Sequence, residues 1–151
     1  MQYQPIKGYH VEGVYMKNWD LKPDTSGCTS DEDFISAGMV AEHLKIKLHQ
    51  VNYVKEYWNE VFLTLLNKIN NGLSPNIDVL CNNVIKFGKL YEWAISEMGF
   101  DFLATGHYAK VLKIADKKFG SGMEEMKTLG ISDDPNKDQT FFLSRVFVNH
   151  C

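Results

Sequence analysis

Apolar positions along the chain recur with two different periods, and the changes between them mark the elements. Residues 10–16, His-Val-Glu-Gly-Val-Tyr-Met, are β-branched and aromatic enough to predict a strand. It opens onto a polar loop over residues 17–27, where Pro23 and Gly27 interrupt any regular pattern. Thr29-Ser30-Asp31-Glu32 has the capping-box arrangement, with Thr29 placed to cap and Glu32 to reach back. Phe34, Ile35, Met39, Ala41 and Leu44 then follow at helical spacing. Residues 47–52 form a short strand. From there Val54, Tyr57, Trp58, Val61, Phe62, Leu65, Leu66 and Ile69 step alternately by three and one, which lays one apolar stripe along a helix. Asn70-Asn71-Gly72 stops that helix, and Leu73-Ser74-Pro75-Asn76-Ile77-Asp78 carries too many turn formers to be anything but a loop. A second amphipathic helix starts near Cys81, turns Ile85, Leu90, Trp93, Ala94 and Met98 inward and ends at Gly99. Phe100-Asp101-Phe102-Leu103-Ala104-Thr105 is expected as the next strand, cut off at Gly106-His107. Residues 111–127 look hairpin-like or irregular, Ser132-Asp133-Asp134-Pro135-Asn136 is a turn, and a terminal helical stretch begins at Asp138.

Strand, helix, strand, helix, helix, strand implies an α/β fold, a parallel sheet covered by helices. No internal repeat, low-complexity tract or interdomain linker interrupts it. With 151 residues, 44% of them hydrophobic, the chain is sized for one core and one domain. Sixteen Lys+Arg against 19 Asp+Glu give a net charge of -3, so nucleic-acid binding would rest on a local patch and not on overall charge. The three cysteines, Cys28, Cys81 and Cys151, form no Cys-x-x-Cys pair and no even-numbered disulfide framework, which points to a reducing compartment. No apolar run approaches the roughly 20 residues that span a bilayer, and Met1-Gln2-Tyr3-Gln4-Pro5 carries neither a signal core nor transit-peptide character. No membrane partner is expected.

Four stretches carry candidate chemistry, each with a plain packing alternative. Cys81, at or near a helix start, would lie in the positive end of the helix dipole, which favours thiolate, and Asp78 three residues earlier could shuttle a proton or hold a substrate amide. The packing alternative, which a lone Asp-x-x-Cys favours, makes Cys81 a small buried apolar residue and Asp78 a helix cap. Ala104-Thr105-Gly106-His107-Tyr108 stands at the carboxyl end of an expected strand, where ligands settle in open α/β sheets, or it is a turn that needs glycine. Met16, in Gly13-Val14-Tyr15-Met16-Lys17-Asn18-Trp19, could lie along an adenine ring or belong with Trp19 to the core. Asn136-Lys137-Asp138-Gln139-Thr140-Phe141-Phe142 joins a cation, an amide and aromatics as RNA contacts do, or starts a capped helix with a core-facing Phe pair. Gly120-Ser121-Gly122 lacks the third glycine of a dinucleotide fingerprint, no Gly-x-x-x-x-Gly-Lys phosphate loop occurs, Asp31-Glu32-Asp33 suits an acidic first helical turn better than a metal, and no Ser/His/Asp order suggests a hydrolase.

In this order the stretches resemble the tRNA 2-thiouridylase family, ATP-dependent sulfurtransferases acting on C2 of the wobble uridine. The Gly27-Cys28-Thr29 turn, Tyr53-Val54-Lys55-Glu56-Tyr57-Trp58-Asn59, Ser74-Pro75-Asn76-Ile77-Asp78-Val79-Leu80-Cys81-Asn82, Ile85-Lys86-Phe87 and Lys137-Asp138-Gln139-Thr140-Phe141-Phe142-Leu143-Ser144 carry the likeness, which runs from about Gly8 to Val146. Tyr-Val-Lys-Glu-Tyr-Trp-Asn and Asp-Gln-Thr-Phe-Phe-Leu-Ser resemble the eukaryotic, mitochondrial branch, which implies a mitochondrial location.

The resemblance implies a Rossmann-like sheet of the adenine nucleotide alpha hydrolase, or PP-loop ATP pyrophosphatase, type. It implies Met16 and Gly106 at ATP, Asn76, Ile77 and Asp78 at the target base with Asp78 as acid/base group, Cys81 as the nucleophilic cysteine, His107 at the tRNA, and Lys137, Asp138 and Gln139 as a further tRNA contact. Partners would be tRNA, ATP with Mg2+ and a persulfide donor fed by a cysteine desulfurase. No resident metal is expected, and a disulfide bond is a feature of the family. Adenylation of the uridine C2 oxygen would precede attack by persulfide sulfur and departure of AMP. Against the family pattern, Ser-Gly-Gly-x-Asp-Ser, the phosphate loop, precedes the strand with which this sequence opens. The second cysteine, in Gly-x-Cys-Phe-Ile-Gly, falls downstream; terminal Cys151 does not match it, and Ile77 replaces a usual proline. The expectation is therefore a partial nucleotide-binding domain over residues 1–151, truncated at its N-terminal strand and phosphate loop, without central and C-terminal tRNA-binding domains. Marginal stability would follow from the uncovered sheet edge. A remnant that binds RNA or a partner without sulfur transfer, or a simple adenine-nucleotide module, are the alternatives.

Overall fold

The computed structural model describes residues 8–19, 29–115 and 125–146. The loop expected over 17–27, the Thr29 capping side chain, Cys28 and Cys151 lie outside the described residues or side chains, wholly or in large part. The chain divides into two compact units, residues 1–58 and 59–151.

The first unit is a βαβ arrangement. Strand β1 (Gly13–Lys17) pairs in parallel with β2 (Leu48–Asn52), Gly13 opposite Leu48 and Lys17 opposite Asn52, and α1 (Thr29–Leu44) connects them. Parallel strands need such a crossover because no tight turn can bring the chain back to the starting end. The amide of Gly13 donates to Lys47 O and that of Tyr53 to Lys17 O, both at 2.7 Å, extending the ladder at each end. A Cβ on Gly13 would sit 3.2 Å from the end of the Leu48 side chain, which would have to shift by a few tenths of an ångström to admit it. Helix α1 packs on both strands, with Phe34 tilted against Tyr15 at 5.2 Å and Ala41 buried. Ile35 and Met39, expected on that face, are instead 62% and 61% exposed. The row through Phe34 and Ala41 takes the sheet contact, and Ile35 and Met39 lie outside it on the helix surface. Lys45 ends α1 in the left-handed region (φ 55°), and Ile46 N–H returns to Ala41 O at 3.0 Å, closing the last turn.

At the start of β1, Glu12 ties the strands together. One carboxylate oxygen pairs with His10 Nε2 at 2.9 Å, the other with His49 Nε2, and Lys47 Nζ lies 3.8 Å away. Beyond β1, Trp19 stacks on Trp58 (5.0 Å, 13°) and meets Tyr57 edge-on.

Helix α2 covers residues 54–70 as successive stretches Val54–Glu56, Tyr57–Phe62 and Leu63–Asn70, and the division between the units falls within it. The second unit continues with α3 over residues 77–97, antiparallel strands β3 (Lys110–Ala115) and β4 (Glu125–Gly130), and a 3₁₀ turn, Phe141–Leu143. Over Tyr57–Phe62, Asn82–Lys89 and Trp93–Glu97 the helical hydrogen bonds widen to i→i+5. Val61, Leu80, Ile85, Leu90, Ala94, Leu143 and Val146 are its buried apolar core, and Lys89 bridges to Glu60 at 2.9 Å. The predicted stripe on α2 is buried only at Val61; Leu66 and Ile69 are exposed. Gly99, at φ +73°, stops α3 as expected, with Met98 exposed rather than inward.

Two expectations fail here. Residues 100–105 form no strand: they have no ladder partner among the described residues, and Phe102 is 73% exposed. Phe100, Phe102 and Thr105 are strand formers, but local preference makes a strand only where a neighbour takes its ladder bonds, and among the described residues none does. From Asp138 onward, among the described residues, the one regular element is the short 3₁₀ turn, with Phe141 exposed and not facing the core. The hairpin-like reading of 111–127 is met by β3 and β4. Parallel β1 and β2 joined by a helix agree with the α/β, Rossmann-like class.

Hydrogen bonds from His49 and then His10, aided by the Lys47 charge, hold the Glu12 carboxyl down to about 2. A folded value below the unfolded one gives stability that is complete above pH 4.5 and is lost as pH falls towards about 2. Urea unfolding followed by circular dichroism across this interval should show a shallower acid loss in Glu12→Gln than in the parent chain.

Candidate active site

Helix α3 begins four residues earlier than the sequence pattern suggested. Asn76 adopts an extended conformation, and its Oδ1 accepts from the amides of Asp78 (2.9 Å) and Val79 (3.1 Å), meeting two of the donors that a helix start leaves open. Asn76, not Asp78, is therefore the cap. Ile77 is the first helical residue, the place where proline is best tolerated, so the isoleucine leaves a turn already fixed by the Asn76 side chain. Asp78 is exposed in the first turn. Cys81 is the fifth helical residue, a thiol only 6% exposed, on the same face as Asp78 by the three-residue spacing. The dipole field is strongest within the first turn, so Cys81 lies just past its best position.

Next to Cys81 stands Asn82, 2% exposed and the only buried polar side chain among the described residues. Its Nδ2 donates to Phe142 O at 2.9 Å, and its Oδ1 lies 3.3 Å from His107 Nε2. His107 Nδ1 in turn lies 2.8 Å from the Thr105 hydroxyl, and the ring tilts against Phe87 at 5.4 Å. Burial, helped by the Lys86 charge, lowers the His107 pKa below its usual value, which favours neutral imidazole. A shallow pocket of about 150 Å³ opens beside it, lined among others by Phe87, Thr105, Lys110 and Leu143.

The 132–140 segment is held by its own polar groups. Asp138 Oδ1 accepts from Thr140 Oγ1 (2.7 Å) and the Ser132 amide (3.0 Å), and these bonds, Thr140's first, hold its carboxyl below the usual range. Gln139 exchanges two bonds with Tyr108: its amide donates to Tyr108 O at 2.8 Å, and its Oε1 accepts from Tyr108 N at 3.0 Å. Lys137 Nζ lies 4.6 Å over the Tyr108 ring. The 104–108 loop is thus joined to α3 through His107 and to the 137–140 segment through Tyr108. Gly106 is exposed, and a Cβ there would meet nothing within 4 Å, so packing within the chain does not require the glycine. Met16, in the first unit, is half-buried and, by strand alternation, points to the face opposite Tyr15, which meets α1. Among the described residues no cluster of three or more His, Cys, Asp or Glu side chains could hold a metal, and no helix is long and apolar enough to cross a membrane.

Sequence reasoning passed over Asn82 and Thr105. Asn82 had a signal: it precedes Ile85 by three on the inward face of α3, where an amide must find buried partners. Thr105 gave none beyond its place before Gly106-His107.

A parallel βαβ unit followed by helices defines an α/β class of fold. Comparison makes this specific. The chain belongs to the family described as the tRNA methyl transferase HUP domain, whose model matches residues 4–150. It is 41% identical over 153 residues to mitochondrial tRNA-specific 2-thiouridylase 1 of Danio rerio, covering 92% of this chain and 37% of that protein. The human protein of the same name is 41% identical over 154 residues, covering 93% of this chain and 37% of its own. The tRNA-specific 2-thiouridylase MnmA of Blochmanniella floridana is 42% identical over 137 residues, covering 91% and 35%. The chain spans a little over a third of the length of these relatives.

Two measurements check this geometry. Asn82→Leu removes the donor to Phe142 O and leaves a carbonyl unmet, which should cost about 1–3 kcal/mol in urea unfolding. A Cys28→Ser/Cys151→Ser chain should show slow alkylation of Cys81 by iodoacetamide at pH 8 in buffer and fast alkylation in 8 M urea (roughly 100-fold apart or more, since only the opened state exposes the thiol); equal rates would contradict its burial.

Proposed function

We propose that this chain is the nucleotide-binding, catalytic portion of a tRNA 2-thiouridylase that replaces O2 of the wobble uridine by sulfur. The observation that carries the reading is the pair Asp78 and Cys81, on one face of a helix whose start Asn76 caps, with His107 hydrogen-bonded to the next residue. The names of relatives 41–42% identical support it, and a thiol in that position suits sulfur transfer better than the methyl transfer in the family's description.

Gly106 fits a nucleotide site because its exposed backbone has no side chain in the way, and Met16 offers a flexible apolar surface for adenine. When bound, ATP with Mg2+ supplies the adenylyl group that makes the uridine oxygen a leaving group. Asp78, exposed at the helix start beside Asn76 and Ile77, takes the N3 proton of the base so that O2 gains nucleophilic character. The terminal sulfur of a donor cysteine persulfide, fed by a cysteine desulfurase, then bonds to C2, and AMP departs with the former O2. Cys81, buried in the free chain, is uncovered by local opening as the tRNA and donor bind, and its thiolate attacks the donor cysteine's own sulfur. The S–S bond to the base breaks, a disulfide joins the two cysteines, and the electron pair stays on the thiolated base; an external thiol later reduces the disulfide. His107 and Lys137 meet the tRNA, with Asp138 and Gln139 shaping the segment that presents Lys137. The mitochondrial names among the relatives support a mitochondrial location.

The polypeptide translated from the complete transcript should convert a tRNA transcript to its 2-thiouridine form in the presence of ATP, Mg2+, a cysteine desulfurase and cysteine, read by mass spectrometry of the digested nucleosides. Cys81→Ser should reduce product to background, and Asp78→Asn should slow it by about 100-fold or more. RNA binding without product, or ATP binding indifferent to tRNA, would replace the enzyme reading by one of the two binding readings.

A further inference from the structure

The buried amide of Asn82 has a fixed sense. Its Nδ2 faces the Phe142 carbonyl, which can only accept; the reversed amide would set two oxygens against each other. Oδ1 therefore faces His107 Nε2, and that nitrogen must donate. Nδ1 then carries the lone pair and accepts from the Thr105 hydroxyl. Every proton in the chain from Thr105 to His107 to Asn82 to Phe142 runs in one direction. At 2% exposure Asn82 has no water with which to exchange these partners.

We propose that Asn82 is a positioning residue, whose carboxamide, oriented by the Phe142 carbonyl, fixes His107 as the Nε2–H tautomer and holds the 104–108 loop against the helix that bears Asp78 and Cys81. This rests on the reading of His107 as a residue that meets the tRNA, and it adds how that ring is presented. Both ring nitrogens are engaged within the chain, so what the ring leaves to an incoming nucleotide is its open face and edge, a stacking surface and not a hydrogen-bond donor. The charged group acting on the ring is Lys86. Asn82 touches no reacting atom; it acts through His107 and the loop.

Long-range ¹⁵N–¹H correlation spectra of the ¹⁵N-labelled 151-residue chain read the tautomer directly. The parent chain should show a protonated Nε2 and a bare Nδ1 for His107; the opposite tautomer overturns the proposal without any variant. In Asn82→Asp one carboxylate oxygen keeps the acceptor for Nε2–H while the other, set against the Phe142 carbonyl, loses that tie, so the tautomer should persist and the His107 titration midpoint should rise by about one pH unit or more. Asn82→Leu should lose the Nε2–H preference, whereas Thr105→Val, which spares Asn82, should keep it. An unchanged Nε2–H tautomer of His107 in folded Asn82→Leu would overturn the assignment. In the thiolation assay, Asn82→Leu should raise KM for tRNA at least tenfold more than it lowers kcat, and Asn82→Asp should recover part of that loss and move the acid limb of the pH profile upward. Absence of thiolation in the parent polypeptide would remove the enzyme reading but leave the spectroscopic result standing, so the two failures are distinguishable.

Discussion

Burying a carboxamide away from water costs several kcal/mol unless each of its polar atoms finds a partner. In the second unit that condition is met at Asn82 only because Phe142 O and His107 Nε2 stand where they do. The constraint works in both directions. The amide needs two segments far away in sequence, and those segments, which carry no strand pairing of their own, take their place from the amide. The 3₁₀ turn Phe141–Leu143 brings Leu143 into the core and presents its carbonyl, while His107 reaches back from a loop that would otherwise be tied only through Tyr108. Among the described residues no buried side-chain nitrogen or oxygen lacks a partner, so the arrangement closes without a polar debt.

The elements that were legible in the sequence are those whose signal is local. Strand β1 follows from a β-branched and aromatic run and helix α1 from apolar residues at helical spacing, and the parallel pairing follows from the order of the elements. The stripe on α2 was read correctly as helical, yet periodicity says which residues share a face and not how much of that face is covered: Val61 is buried, and Leu66 and Ile69 are exposed. The same holds for Ile35 and Met39 on α1. A period fixes relative direction along a helix, and only the neighbour decides which arc becomes core.

The misread positions share a different cause. The start of α3 was hidden because Pro75 and Asn76 are turn formers, and Asn76 acts as one in the very act of capping the helix. Residues 100–105, a largely apolar run between Gly99 and Gly106, have the local look of a strand, but a strand exists only where a neighbour takes its hydrogen bonds, and sequence carries no record of that pairing. The site residues themselves were read from resemblance. Their spacing alone left Cys81 and His107 divided between chemistry and packing, and the structure gives both a packing role: a thiol under cover and an imidazole with both nitrogens engaged.

That combination has a consequence for how the second unit can act. Its candidate groups are held by side-chain hydrogen bonds to backbone, through Asn76, Asn82, Asp138 and Gln139, and not by a sheet ladder. A ladder tolerates substitution because its bonds belong to the backbone; ties of this kind depend on the identity of one amide or carboxylate each. The side chains that fix the geometry each sit within a few residues of a candidate group: Asn76 before Asp78, Asn82 after Cys81, Asp138 and Gln139 after Lys137. A cap, an amide clamp and a carboxylate turn each aim a neighbouring residue, so in this unit the position of the chemistry is determined by short polar side chains at the ends of elements, while the apolar core supplies the surface on which they are set.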